Sequence, residues 1–187
     1  VRYSTLEGGY HCRPNPLQVA SFGNHLNQAV RHSDTKPLRQ LLHCGLSPNA
    51  CNKFGESIVH SVCRRGDVDA LQTLLAGECS LQVSDDYGRT PLHDACWQSD
   101  NPCFDTVRQI LETDKNLIFM KDIRGAAPLS YVKKESHAQW IDFLMSEFDR
   151  FWPADGTGNQ SPPPLTLQLP HYFPLPSQIT NLSLEVI

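Results

Sequence analysis

The chain repeats itself at an interval of 33 residues. Leu38 and Leu71, Leu41 and Leu74, Leu42 and Leu75, and Leu26 and Val59 are all separated by that distance. The same spacing carries Gly55 to Gly88, His60 to His93, Cys63 to Cys96 and Leu71 to Phe104. The register then stretches, and Gly125 follows Gly88 by 37. The excess fits about three residues inserted around Asp100-Asn101-Pro102-Cys103, where Pro102 marks a loop, and about one more before Lys121. A period of this length reads as a solenoid: one supersecondary unit cannot bury its own apolar face, so copies stack.

The clearest unit starts at Asp85. Asp85-Asp86-Tyr87-Gly88-Arg89 has the composition of a turn, with carboxylates able to bond nearby backbone and a glycine able to take positive φ. Thr90 suits an N-cap and Pro91 the first helical position, where its missing N–H costs nothing. Leu92, Ala95 and Cys96 recur at i, i+3 and i+4, which predicts a short helix from Pro91 to about Trp97. Val107, Ile110 and Leu111 give a second helix, from about Thr106 to Glu112, the same kind of apolar face. Helices this short are marginal alone.

Asp86-Tyr87-Gly88-Arg89-Thr90-Pro91-Leu92-His93-Asp94-Ala95 resembles the ankyrin repeat nearly residue for residue. Phe54-Gly55-Glu56-Ser57-Ile58-Val59-His60 keeps the glycine, the hydroxyl and the histidine, with Ile58 where proline is usual. The first unit is degenerate, with Asn24 for the cap and Asn27 for the histidine, although Leu38, Leu41, Leu42, Gly45 and Asn49 fit. The fourth, Gly125-Ala126-Ala127-Pro128-Leu129-Ser130, lacks both hydroxyl cap and histidine, while Ile141 and Leu144 keep its second helix. The resemblance implies an all-α ankyrin-repeat solenoid of helix-turn-helix units with β-turn fingers. Its expected extent is residues 22–152, in units of about 22–51, 52–84, 85–121 and 122–152.

The flanks have another character. Residues 1–21 contain Gly8-Gly9 and Pro14-Asn15-Pro16 and read as a loose N-terminal lead-in, with Leu17, Val19 and Phe22 available to pack on the first unit. Residues 153–187 hold seven prolines, among them Pro162-Pro163-Pro164, and two charges, Asp155 and Glu185. That composition favours an extended Pro-rich tail over a core, and its apolar end, Leu182 to Ile187, is free to dock elsewhere.

Composition narrows the function classes. No apolar run approaches the ~20 residues needed to span a bilayer, and the first thirty residues carry no apolar stretch of a secretory signal. Seven cysteines, an odd count without dense pairing, point to a reducing compartment, cytoplasmic or nuclear. The net charge of −4 argues against a dedicated DNA-binding protein. No GxSxG, phosphate-cradling glycine loop or HExxH is present, so no catalytic residue and no cofactor is expected. His60-x-x-Cys63 and His93-x-x-Cys96 pair two zinc-ligand types. The repeat accounts for them better, placing both cysteines where a tight helix contact admits small side chains, so no metal is expected.

The resemblance implies a concave face lined by turn tips and by the outer end of each first helix. Those helix positions are Arg31 and His32, Arg64 and Arg65, Trp97 and Gln98, and Lys134 beside Lys133; the tips add Phe54, Tyr87, Arg89 and Arg124. Arginine offers planar bidentate recognition of carboxylate or phosphate, and Trp and Tyr are frequent interface anchors. The expected function is a non-catalytic scaffold, monomeric, whose concave face binds another protein through an acidic or phosphorylated segment. Two alternatives stand beside it: a gene-regulatory or nucleic-acid-associated protein using the basic stripe, against which Asp85 and Asp86 speak, and a targeting module of a larger enzyme chain.

Overall fold

The computed structural model of the chain describes residues 3–5, 7–10, 14–97 and 101–153. The α-helices are α1 (Pro16–Ser21), α2 (Asn24–Arg31), α3 (Thr35–His43), α4 (Ile58–Arg65), α5 (Val68–Ala76), α6 (Pro91–Trp97), α7 (Phe104–Thr113) and α8 (His137–Phe151). Among the described residues no strand forms, only isolated bridges. Helices α2, α4 and α6 form an inner row. An outer row of α3, α5, α7 and α8 packs behind it, each helix against the next and most against their inner partner. The core runs continuously through both rows, with Leu26, Leu38, Val59, Leu71, Leu74, Leu92, Ile110 and Leu111 all buried. Cys63 and Cys96 are buried with them, in the small-residue slots of α4 and α6. This is the all-α solenoid the repeat implies.

The second, third and fourth units each open on a finger closed in the same way. Asn52 Oδ1 accepts from the N–H groups of Phe54 (2.9 Å) and Glu56 (3.1 Å). Asp85 Oδ1 accepts from Tyr87 (3.0 Å) and Arg89 (2.8 Å), and Asp122 Oδ1 from Arg124 (2.9 Å) and Ala126 (2.8 Å). Gly88, at φ 73°, turns the middle finger, and a Cβ there would lie 2.5 Å from Thr5 Oγ1, so the site excludes any larger residue. The fingers are stitched side by side: Asp86 N–H donates to Phe54 O at 3.0 Å and Ile123 N–H to Tyr87 O at 3.1 Å.

Behind the fingers a buried histidine ties each of the two central units to its neighbour. His93 Nδ1 accepts from Thr90 N–H at 3.0 Å and sits 2.9 Å from the Thr90 hydroxyl, while Nε2 lies 3.2 Å from Ala126 O in the next unit. His60 does the same with Ser57 N–H (3.2 Å), Ser57 Oγ (2.8 Å) and Arg89 O (2.9 Å). A ring nitrogen that accepts from an amide N–H carries no proton, so Nε2 holds the proton and donates to the carbonyl. Both ring nitrogens are consumed, which leaves neither for a metal. Among the described residues no cluster of three or more His, Cys, Asp or Glu is placed to hold one.

The end units depart from the pattern. In the fourth, Ala127 and Ser130 replace hydroxyl and histidine, and Val132 and Lys133 fill the slots that Ala95 and Cys96 occupy in α6. No inner α-helix forms there; the chain makes 3-10 turns at Pro128–Tyr131 and Lys134–Ser136. Tyr131 closes the unit instead, donating to Asp122 Oδ2 at 2.6 Å with its ring edge-on to His93. In the first unit Asn27, at the histidine position, reaches back to Gly23 O at 3.1 Å.

Residues 1–21 are not a loose lead-in where described. Asn15 and Gln18 cap α1 reciprocally, Gln18 N–H to Asn15 Oδ1 at 2.8 Å and Asn15 N–H to Gln18 Oε1 at 2.9 Å. Leu17 and Val19 face solvent and only Phe22 packs on the core. α1 and the described residues before it lie along the array as a strap. Cys51 N–H donates to Gln18 O (3.3 Å), Ser84 N–H to Tyr10 O (2.9 Å) and Lys121 N–H to Tyr3 O (3.0 Å), while Thr5 N–H returns a bond to Lys121 O (3.0 Å). Cys51, Ser84 and Lys121 hold one equivalent position, each four residues before a finger glycine. Tyr10 is buried and Tyr3 stacks on Phe119 at 5.4 Å.

The strap is therefore part of the cooperative fold. Tyr10→Ala is expected to cost about 3 kcal/mol, the scale of a buried aromatic truncation, and to lower the melting midpoint by roughly 6–12 °C for a chain of this size. Tyr10→Phe is expected to cost nothing, because the Tyr10 hydroxyl is buried without a partner. Thermal unfolding followed by circular dichroism checks both; an unchanged midpoint for Tyr10→Ala contradicts the strap's role. His93 gives a second expectation. Burial disfavours its charged form, outweighing the Ala126 carbonyl and the nearby Asp122 and Asp85, and lowers its pKa from 6.5 to about 4. The unfolded chain takes up this proton below about pH 6.5 and the folded chain does not, so stability falls between pH 6.5 and 4 and the loss levels off below that. The wild-type advantage over His93→Gln should shrink by up to about 3 kcal/mol across this window, measured by urea denaturation at stepped pH.

Candidate partner-binding face

The inner row and the fingers meet in a trough. It includes a cleft of about 380 Å³ at the first two units, where Asn24, Gln28 and Arg31 of α2 face Asn52 and Glu56 of the second unit's finger and Arg64 of α4. Arg31 and Trp97 end their inner helices and Arg64 stands one residue before the end of α4; the three follow one another at the repeat interval. They form one row because their helices stack in register. His32 and Arg65 stand one position further on, both exposed, and Arg65 Nη2 donates to Arg31 O at 2.8 Å. Gln98 lies outside the described residues. Lys134 does not continue the row: with no inner helix in the fourth unit, it sits on a 3-10 turn. The row ends at Trp97.

The cations of this face are not a free positive stripe. Arg64 Nη2 bonds both Glu56 Oε1 and Asp94 Oδ2 at 2.9 Å, and its guanidinium lies 5.9 Å from the Trp97 ring. Arg89 Nε bonds Asp85 Oδ2 at 2.7 Å, with its guanidinium 5.1 Å from the Tyr87 ring. Arg124 Nη2 donates to Tyr131 Oη at 2.7 Å and its Nε lies 3.6 Å from Asp122 Oδ2. Arg31 makes no ion pair among the described residues. The charge states are coupled. Burial of Asp94 raises its pKa, against the pull of the Arg64 and Arg89 guanidinium groups. Burial works against the Arg64 charge, but Asp94 and Glu56 outweigh it and the guanidinium pKa rises. Arg64 therefore stays cationic and bridges one buried and one half-exposed carboxylate.

What the face offers chemically is aromatic surface beside fixed guanidinium planes. Phe54, Tyr87 and Trp97 are 54, 53 and 48% exposed, large values for rings their size. Lys53 stands 5.0 Å from the Phe54 ring. Sequence reasoning missed Glu56, Asp94 and Tyr131, the side chains that orient the arginines. Asp94 had a signal, a carboxylate inside the otherwise apolar run of α6. Tyr131 had a weaker one, an aromatic where the unit lacks its histidine.

Comparison with known proteins places the chain. The family described as Ankyrin repeats (3 copies) matches residues 26–119, about half of the sequence. The chain is 27% identical over 133 residues to the tyrosine-protein kinase Shark of Drosophila melanogaster, a match covering 70% of this chain and 14% of that protein. It is 30% identical over 89 residues to the SMC5-SMC6 complex localization factor protein 1 of Bos taurus, covering 47% of this chain and 8% of that one. The chain thus spans less than a sixth of the length of these relatives. Ankyrin repeats are generally protein-interaction modules and typically non-catalytic, and no helix among the described residues is long and apolar enough to cross a membrane. With the repeat in the sequence, the stacked hairpins in the structure and the family match over the same residues, this chain belongs to the ankyrin-repeat proteins.

Proposed function

We propose that the chain is a non-catalytic, monomeric scaffold whose trough binds a segment of a partner protein. The supporting observation is the row Arg31–Arg64–Trp97 beside the exposed finger aromatics Phe54 and Tyr87, with Arg64 and the neighbouring Arg89 already ordered by ion pairs within the chain. Ordering rotamer-rich side chains normally costs about 0.5–1.5 kcal/mol each on binding; here folding has already done it. Arg31, His32, Arg65 and Gln98 extend the reading to the first units and the α6 end, and Arg89, Arg124 and Lys134 to its edge. Arg31, uncompensated in the cleft, is where an acidic or phosphorylated group of the partner would sit. Glu56, Asp85, Asp86 and Asp94 on the same face weigh against nucleic acid, whose phosphates they would repel. A cytoplasmic or nuclear setting fits the free cysteines. The relatives, far longer than the match, support a second reading in which these repeats are the targeting module of a larger chain.

Affinity capture comparing wild type with Trp97→Ala, Tyr87→Ala and Arg31→Ala, and with the outer-row control Gln72→Ala, tests the proposal. The trough variants are each expected to weaken capture of the partner about five- to thirtyfold, an exposed anchor being worth roughly 1–2 kcal/mol, with unchanged melting. Arg31→Ala should in addition flatten the salt dependence. Arg64→Ala is not a clean probe, because it strands Asp94; it is expected to lower stability by about 1–3 kcal/mol. Undiminished capture by all three trough variants sinks the assignment.

A further inference from the structure

A solenoid's last unit ordinarily turns a polar face to water, because nothing stacks beyond it. Helix α8 does not. Its inner side docks on α7 through Phe143, stacked on Phe104 at 4.5 Å, and Trp140, edge-on to Phe104 at 5.3 Å. The charges on that flank are used: Arg108 Nε bonds Glu147 Oε1 at 2.9 Å, and Arg150 pairs with Glu147 and Glu112. Further round the helix, Ala138, Ile141, Met145 and Phe148 succeed each other at three- and four-residue steps, a seam of the kind that normally meets another element. Ile141 is 60%, Met145 73% and Phe148 36% exposed.

We infer that this seam is the docking site of the chain's own tail, through Leu165-Thr166-Leu167-Gln168-Leu169. Residues 154–187 follow α8 directly, lie outside the described residues, and hold too many prolines to build another helical hairpin. A further repeat could not begin until after them, so the tail is the nearest chain to the seam. In an extended segment Leu165, Leu167 and Leu169 fall on one side and span about 13 Å. Ile141 to Phe148 spans about 10 Å along the helix, so the two apolar rows match in length. The linker from 154 to 164 reaches roughly 35 Å, ample for the segment to fold back along α8. No Asp, Glu, Lys or Arg lies between Asp155 and Glu185, so nothing in the segment meets Asp142 or Asp149 at the rim as a like charge. Tethering puts it at an effective concentration on the millimolar scale, enough for a short apolar contact.

The test is amide hydrogen exchange on the full chain, with and without Leu165→Ser, Leu167→Ser and Leu169→Ser combined, alongside light scattering. None of these residues lies in the repeats, so the folded array stays intact. Docking predicts that the triple variant exchanges α8 amides about tenfold faster, leaves α4 and α6 unchanged, and remains monomeric like the wild type. Met145→Lys should unmask α8 to a similar extent. Identical α8 exchange in wild type and triple variant overturns the inference. So does α8 protection that grows with concentration as the mass approaches a dimer, which would give the seam to a second copy. So does unmasking by Leu182→Ser with Leu184→Ser in place of the triple variant.

Discussion

Helices of seven to nine residues, such as α4, α5 and α6, cannot persist alone in water, because nucleation costs more than so few backbone bonds return. What makes them stable is the neighbour, and the tie between neighbours is narrow. It consists of an imidazole that accepts from the cap of its own helix and donates to a carbonyl of the next finger, at His60 and His93. The ring is buried and neutral, so one side chain both starts a helix and sets the spacing to the next unit. In the fourth unit Ser130 replaces the ring, no inner α-helix forms and Tyr131 makes a different closure onto Asp122, whereas in the first unit α2 forms with Asn27 at that position, bonded to Gly23 O.

Stacked repeats ordinarily interact only with their nearest neighbours, and their ends are the first to open. The N-terminal strap changes that connectivity. By meeting the same backbone position at the close of the first, second and third units, at Cys51, Ser84 and Lys121, it couples a residue near the start of the chain to one 116 positions away. Aromatic contacts carry the coupling further, from Tyr3 to Phe119 and from Phe119 to Trp152 at the end of α8. An array held along its length unfolds more as one body than as a series of separable hairpins.

Periodicity made the central units legible. Pro91–Trp97 was readable to the residue, α7 began two residues earlier than its apolar spacing suggests, and Cys63 with Cys96 fell into the core positions the repeat assigns them. Periodicity specifies positions, not partners. It could place Arg64 on the inner face but could not show Asp94 reaching it from the next unit, nor Asp85 holding Arg89. The strap was out of its reach for a similar reason, since hydrogen bonds to backbone leave no mark on side-chain pattern. The helix α1 was within reach: Asn15, Pro16 and Gln18 are a cap, a first-turn proline and a capping-box partner in sequence. The Gly8-Gly9 and Pro14 signals nearby outweighed them. Leu17 and Val19 were misjudged because an apolar residue beside a core need not join it, and here they lie on the far side of a one-and-a-half-turn helix.

The pairing of arginines with the chain's own carboxylates bears on how such a face selects a ligand. A row of free cations attracts any anion from a distance and discriminates poorly between them. Arginines already bonded to Glu56, Asp94 and Asp85 attract little at long range, in a chain whose net charge is −4. Their planes are held still beside Trp97 and Tyr87, and a ligand gains mainly by fitting against them. In the proposed reading, selectivity then comes from shape and stacking across the second and third units. Electrostatic choice is concentrated at Arg31, the guanidinium in the cleft that has no ion pair among the described residues.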